Sequence, residues 1–370
     1  MQRLTWSEVH ARRLSRHHLT TPGTGFAAVA RAMGGVHAQV MSAAELSLGL
    51  RVGGATRTDV REALWRDRTI VKTFGPRGTV HLLAADDAPI WTSALAAVPA
   101  PNRFPDGVRL DDARTQEVVT AIGDALDGDA LTIDELSDAV VARTGPWAGE
   151  LTMPAFGGMW PRWRQVLHVA GHRGVLAFGP NRGRKVTYVN PRIVPADQGR
   201  ALAQVLRWYL AAYGPARPDH FAQWLAAPKP WAAALFEAAD LEPVDVEGTV
   251  GWVLAGDTAP APACGDHVRL LPYFDAYQVG CHPREQVFPG RAGQRALART
   301  QAGNYPVVLV GGVVAGVWHV RRSGRRLAIT VEELTPVARA GLEHEVARVG
   351  VVLEGEPALT VGTVTSGPHA

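Results

Sequence analysis

Three stretches of this sequence repeat one plan, in which amphipathic helical patterns lead into a short hairpin of alternating β-branched residues about a Gly-containing turn. In the first, helical spacing near residues 5–16, 24–34, 42–51 and 58–67 precedes TIVKTF, a GPRG turn and TVHLL. The second places helical patterns near 112–126, 132–143 and 158–171 before GVLAFG, PNRGR and KVTYV. In the third, patterns near 197–212, 218–226 and 229–239 precede a weaker strand pair near 243–247 and 250–255. Apolar residues at three- and four-residue spacing make a helix face, and period-two alternation about a turn makes a hairpin. Three helices and a two-stranded wing constitute a winged helix-turn-helix. The expectation is therefore three tandem copies, over residues 1–100, 101–195 and 196–258. A Pro/Ala-rich linker over 256–267 leads to short alternating strands and one helix near 336–349, expected as a C-terminal β-rich domain over 268–366. The expected fold class is mainly α with β hairpins (α+β).

A chain of 370 residues is long for one core, which agrees with several units. Its 46% hydrophobic and 20% charged residues describe an ordinary globular protein. Cys264 and Cys281 are too few for a disulfide framework, and no His/Cys quartet has zinc spacing. No Walker-type loop, GxGxxG or GxSxG occurs, so neither metal nor organic cofactor is expected. The N-terminus lacks a signal-like apolar segment and no run reaches the length of a membrane helix, so the cytoplasm, without a membrane partner, is expected. A tandem array needs no second chain to build a two-sided surface, so a monomer with no obligate protein partner is the expected state.

The 38 basic residues include only three lysines, Lys72, Lys185 and Lys229. Arginine suits bidentate phosphate contacts, and a winged helix usually contacts nucleic acid. The sharpest local cluster is PNRGRK, with Arg182, Arg184 and Lys185 at one turn tip, close behind Arg162 and Arg164 on what reads as the preceding helix. Lys72 and Arg77, with Arg66 and Arg68, form a looser group on the first unit. A solvated hairpin tip or plain surface would show the same charges. Trp208, Trp224, Trp231 and Trp318 lie in apolar periodic contexts and fit core packing. Asp275, between aromatics in LLPYFDAYQVG, would cap a turn or orient a neighbour.

The stretch GGVHAQVMS joins two helical patterns. In an extended connector, alternate side chains share a side, so His37 and Gln39 would project together and Ala38 oppositely. An imidazole and a carboxamide so placed could hold a water, although a functionless polar connector would look the same. Ser42 and Glu45 downstream have the spacing of a capping box.

These residues, with FGPRGTVHLL, GVLAFGP, KVTYV, DHFAQWL, LLPYFDAYQVG and VVLVGGVVAGVW, give the chain a resemblance to the winged-helix DNA glycosylases of the AlkZ and YcaQ type, running over nearly its whole length. In that family the polar-hydrophobic-polar triplet at this place is catalytic, commonly Gln-x-Gln or Gln-x-Asp. Here it is His37 and Gln39, nearer the AlkZ-like group, in which a histidine variant occurs. The resemblance implies three winged helices arranged in a C around a concave face for double-stranded DNA containing alkylated purines, braced by the β-rich domain. It also implies removal of alkylated purines and unhooking of crosslinks, often as self-protection in producers of DNA-alkylating antibiotics. The alternative from the same winged helices is a transcriptional regulator without chemistry, or a sensor that binds adducts without cutting them.

Alkylation at N7 makes a purine a good leaving group, so what remains costly is the cationic sugar and the placing of a water beneath C1′. A neutral His37 would accept that water's proton while Gln39 orients it. On that reading excision falls as pH drops through the ordinary imidazole pKa of ~6.5.

Overall fold

The computed structural model describes residues 1–99, 104–155, 158–259, 261 and 264–367. Within these the protein is a mixed α+β structure. In the first region the helices are Trp6–Arg16, Phe26–Ala32, Met41–Gly49 and Arg57–Trp65. The first starts where it does because Thr5 and Glu8 cap it reciprocally, and Thr56 and Asp59 do the same for the fourth. The hairpin strands Ile70–Phe74 and Val80–Ala84 follow, and the two-residue strand Val36–His37 adds to the second of them.

The second region has helices Asp112–Ala125, Ile133–Thr144 and Leu167–His172, then the hairpin Ala177–Arg182 and Lys185–Val189. One expected element is different. Instead of a helix over 158–171, Gly158–Pro161 is a strand hairpinned to Leu151–Ala155, and Arg162–Val166 is a tight 3₁₀ turn before the short helix. Pro161 has no N–H for a helix interior, which ends the pattern there. Arg162 and Arg164 therefore sit on the 3₁₀ turn and not on a helix.

Helices Gln198–Tyr213, Pro218–Leu225 and Lys229–Glu237 and the hairpin Leu241–Val246 and Thr249–Leu254 make the third region, with the N-terminal strand Gln2–Leu4 pairing in parallel to its first strand. The helix Ala88–Ala96, which sequence periodicity leaves unassigned, packs on Gln198–Tyr213 through Trp91, stacked on Trp208 at 5.3 Å. The last region is a five-stranded sheet of Val268–Leu271, Val307–Val310, Val313–Ser323, Arg326–Glu333 and Glu356–Val361. Its final pair is parallel, and Arg339–Val352 is the crossover helix such a pair requires. Of the expected linker, residues 260, 262 and 263 lie outside the described residues, as do residues 101–103 at the expected first boundary.

The cores cut across the sequence plan. One cluster joins Leu14, Trp91, Trp224, Tyr277 and Val307, from the first, third and last regions, while the second region keeps its own around Ile122, Leu136 and Trp163. Another seats Leu46 and Leu50 among Leu270, Trp318 and Val346. Trp224 and Trp318 are core residues, in keeping with their apolar contexts.

Candidate active site

The loop between Phe26–Ala32 and Met41–Gly49 turns sharply because Gly34 and Gly35 adopt φ of 66° and 95°. The chain then pairs antiparallel to the first hairpin, with His37 opposite His81 and Val36 opposite Leu82. Ala38 continues the pairing by donating its N–H to the Val80 carbonyl at 2.8 Å. Val36 and Ala38 enter the core, so alternation sends His37 and Gln39 to the other side. Gly75 makes the room this needs, since a Cβ there would lie 2.7 Å from His81 Cγ.

The His37 imidazole is 9% exposed. It stacks on Phe274 at 5.3 Å and 22°, and lies 4.6 Å from the His81 ring. Arg77 Nη2 is 3.1 Å and Thr79 Oγ1 3.3 Å from His37 Nε2. A guanidinium can only donate, so Nε2 is the acceptor and the neutral ring carries its proton on Nδ1. That Nδ1 is buried and has no hydrogen-bond partner among the described residues. Burial first, and the Arg77 charge second, push the His37 pKa down to about 4. Gln39, by contrast, is exposed, and its carboxamide makes no hydrogen bond to the described residues.

This geometry bears on the expected division of labour within the pair. Nε2 already accepts from Arg77 and Nδ1 is protonated, so neither nitrogen offers a free lone pair to a water's proton. His37 offers a donor. An unmatched buried donor costs roughly 1–3 kcal/mol, and such groups in native proteins usually have a partner in water or a ligand.

Asp275 explains how the stacking ring is held. Its carboxylate caps the helix Ala276–Gly280 through the Tyr277 N–H at 3.0 Å and forms a bidentate ion pair with Arg51, both contacts at 2.8 Å, with Ser47 Oγ donating at 2.7 Å. Burial raises its pKa, but the Arg51 charge and these hydrogen bonds outweigh that and hold it below the ordinary carboxylate value. Asp275 caps the turn that follows Phe274, the residue stacked on His37. The expected capping box at Ser42 and Glu45 does not form. Val40 is the N-cap, without a side-chain hydrogen bond, and buried Glu45 pairs bidentately with Arg61 at 2.6 and 3.0 Å.

The cations expected on DNA fall into two groups. Arg77 turns inward, to His37 and, at 2.7 Å, to the Trp224 carbonyl. The half-buried Lys72 ammonium lies 4.9 Å over the Phe178 ring, between the first two hairpins. Arg162 pairs with Glu150 at 2.6 Å. Arg77 and Arg162 are thus engaged by polar protein groups, while Lys72 has a ring contact and no ion pair among the described residues. Arg164 stacks at 4.1 Å on Trp160, itself 42% exposed. At the second hairpin tip Arg182 pairs with Glu135 at 2.8 Å and Lys185 with Asp134 at 2.9 Å, all exposed, while Arg184 is exposed and has no ion pair among the described residues. Thr79, His81 and Phe274 escaped the sequence reading, although TVH beside the GPRG turn and Phe next to the noticed Asp275 carried the hint. Among the described residues no group of three or more His, Cys, Asp or Glu side chains is arranged to hold a metal ion, and no helix is long and apolar enough to cross a membrane.

His37 and Gln39 thus share one side of the loop, one buried and one exposed, while the second hairpin carries a basic tip at the surface. Residues 30–351 match the family described as AlkZ-like DNA glycosylases, and the chain belongs to that family. It is 34% identical to the interstrand DNA cross-link repair glycosylase of Streptomyces sahachiroi, over 85% of this chain and 88% of that protein. The solved structure of Streptomyces sahachiroi DNA glycosylase AlkZ superposes with a TM-score of 0.81 at 28% identity, covering 98% of this chain and all of that one.

Proposed function

We propose that this DNA glycosylase hydrolyses the N-glycosidic bond of N7-alkylated purines through a water held between His37 Nδ1–H and the Gln39 carboxamide oxygen. The reading is carried by the buried Nδ1, which has no partner while Nε2 is held by Arg77 and Thr79. The water would accept from His37 with one lone pair, donate a proton to Gln39 Oε1, and present its other lone pair to C1′. As the C1′–N9 bond breaks, its electron pair neutralises the alkylated base, and the water's proton leaves to solvent. A neutral His37 does not repel the cationic sugar, which its depressed pKa supports.

Bulky guanine adducts or crosslinks of a genotoxic natural product, removed in base excision repair for antibiotic self-resistance, are the substrates we infer. The relative's name, an interstrand DNA cross-link repair glycosylase, supports this. We infer further that the three helix-and-hairpin regions act as tandem winged helices in a C-shaped array. Arg184, with Arg182 and Lys185 released from their exposed carboxylates, would reach phosphate. Membership of a glycosylase family sets aside the regulator alternative. The test is release of base from duplexes carrying methyl, bulky and crosslinking N7-guanine adducts, by wild type and by Gln39→Ala. Abasic sites from wild type alone support the reading, and no release from any duplex would overturn it.

A further inference from the structure

Arg77 is a cation at a hairpin tip that spends its charge inside the protein. It occupies a left-handed backbone conformation, φ 63° and ψ 14°, which residues other than glycine seldom adopt and which persists where surrounding contacts fix it. Those contacts are the Trp224 carbonyl in the helix Pro218–Leu225, at 2.7 Å, and His37 Nε2, at 3.1 Å. The guanidinium thus spans from the third region to the catalytic loop.

We propose that Arg77 is a positioning residue that locks His37 in the Nδ1–H tautomer and so makes the first position of the motif a hydrogen-bond donor to the reacting water. The proposal rests on reading His37 and Gln39 as the pair that holds this water. Among the described residues no other group facing His37 can set its tautomer as firmly. Thr79 Oγ1 has a single proton, and the Pro76 carbonyl lies 2.9 Å from it, closer than His37 Nε2 at 3.3 Å. His81, packed on the ring from the opposite strand, directs its own Nδ1 to the Thr79 carbonyl at 2.9 Å. Phe274 supplies only a ring face, and the Asp275 carboxylate behind it is engaged by Arg51, Ser47 and the Tyr277 N–H. His172 bears on His81 from the helix Leu167–His172 and not on His37. A protonated Nε2–H would point at the Arg77 N–H, so the same contact disfavours both the other tautomer and the imidazolium.

The experiment is ¹⁵N NMR of the histidine ring nitrogens in the full-length protein at pH 7, together with single-turnover excision across a range of duplex concentrations. Wild type should show Nδ1 protonated and Nε2 bare at His37. Arg77→Met should bring in the Nε2–H form and lower the maximal rate roughly 10- to 100-fold, the worth of one charge-assisted hydrogen bond. The half-saturating duplex concentration should stay within about twofold, because uniform binding is not what is lost. Arg77→Lys, which keeps a donor and the charge, should recover the tautomer and part of the rate, and serves alone if Arg77→Met does not fold. An unchanged tautomer in Arg77→Met overturns the proposal, as does a changed tautomer with an unchanged rate. A loss confined to duplex affinity assigns Arg77 to phosphate and overturns it too. Should wild type release no base, the hydrolytic reading fails on its own, while the tautomer comparison still decides whether Arg77 sets His37.

Discussion

The first and second hairpins carry the same sequence signal, a basic residue in a Gly-containing turn between β-branched strands, and put it to opposite uses. In the first, Phe74 packs 5.4 Å from Phe178 of the second region, and the tip meets the Trp224 carbonyl of the third. Enclosed on both sides, Arg77 satisfies protein acceptors, the Trp224 carbonyl and His37 Nε2. The second hairpin tip meets the Ala130 carbonyl and the first turn of Ile133–Thr144, whose Asp134 and Glu135 are exposed, and Arg182, Arg184 and Lys185 stay at the surface. The difference teaches that a cation at a turn is assigned by what surrounds the turn, which local sequence does not contain.

The largest effect should come from the first hairpin's partners. Gln39→Ala should cost roughly 100-fold or more in single-turnover excision with little change in duplex affinity. Full activity in that variant would break the contrast at its catalytic end. Next is the support for Phe274. Asp275→Ala leaves Arg51 buried and uncompensated, and should destabilise the protein by about 3–5 kcal/mol, read as a lower urea midpoint. Replacing Arg182, Arg184 and Lys185 together by alanine should leave stability alone. It should flatten the salt dependence of DNA binding by about one to three in logarithmic slope; an unchanged slope would remove this tip from the DNA interface. Smallest is Lys72→Met, for which duplex affinity should hold within about twofold because its ammonium rests on Phe178 and is not expected to reach phosphate.

Acidity separates the two hairpins as well. Burial is the leading cause that pushes the pKa of His10, His37 and His220 to about 4, of His17 and His172 to about 3, and of His282 to about 2. In the unfolded chain these groups titrate near 6.5, so below that pH the unfolded state binds more protons than the native one. Stability is therefore complete above about pH 6.5 and declines as pH falls, by about 1.4 kcal/mol per unit for each such histidine. Excision should accordingly be flat between about pH 6.5 and 8, where the fold is intact and His37 is neutral.

Much of the fold was legible because helices and hairpins advertise themselves through local periodicity. The exception at 158–171 is instructive. Trp160, Arg162 and Trp163 have helical spacing, but Pro161 breaks the backbone bonding, and Trp160 ends exposed while Trp163 is buried. At the site, His37, Gln39 and Asp275 could be picked out by residue type. Their partners could not, since Thr79, His81 and Phe274 reach His37 through strand pairing and packing between residues some 40 to 240 positions apart in the chain. The direction of Arg77, and with it the donor role proposed for His37, lies in that same long-range packing.

His37→Gln tests the donor role most directly, because glutamine restores a donor and the Gln-x-Gln form of the motif but cannot act as a base near neutral pH. Single-turnover excision of an N7-alkylguanine duplex should remain within about tenfold of wild type in His37→Gln and fall roughly 100-fold in His37→Ala. A loss in His37→Gln as deep as in His37→Ala, with a wild-type rate that halves near pH 6.5, would instead make His37 the base.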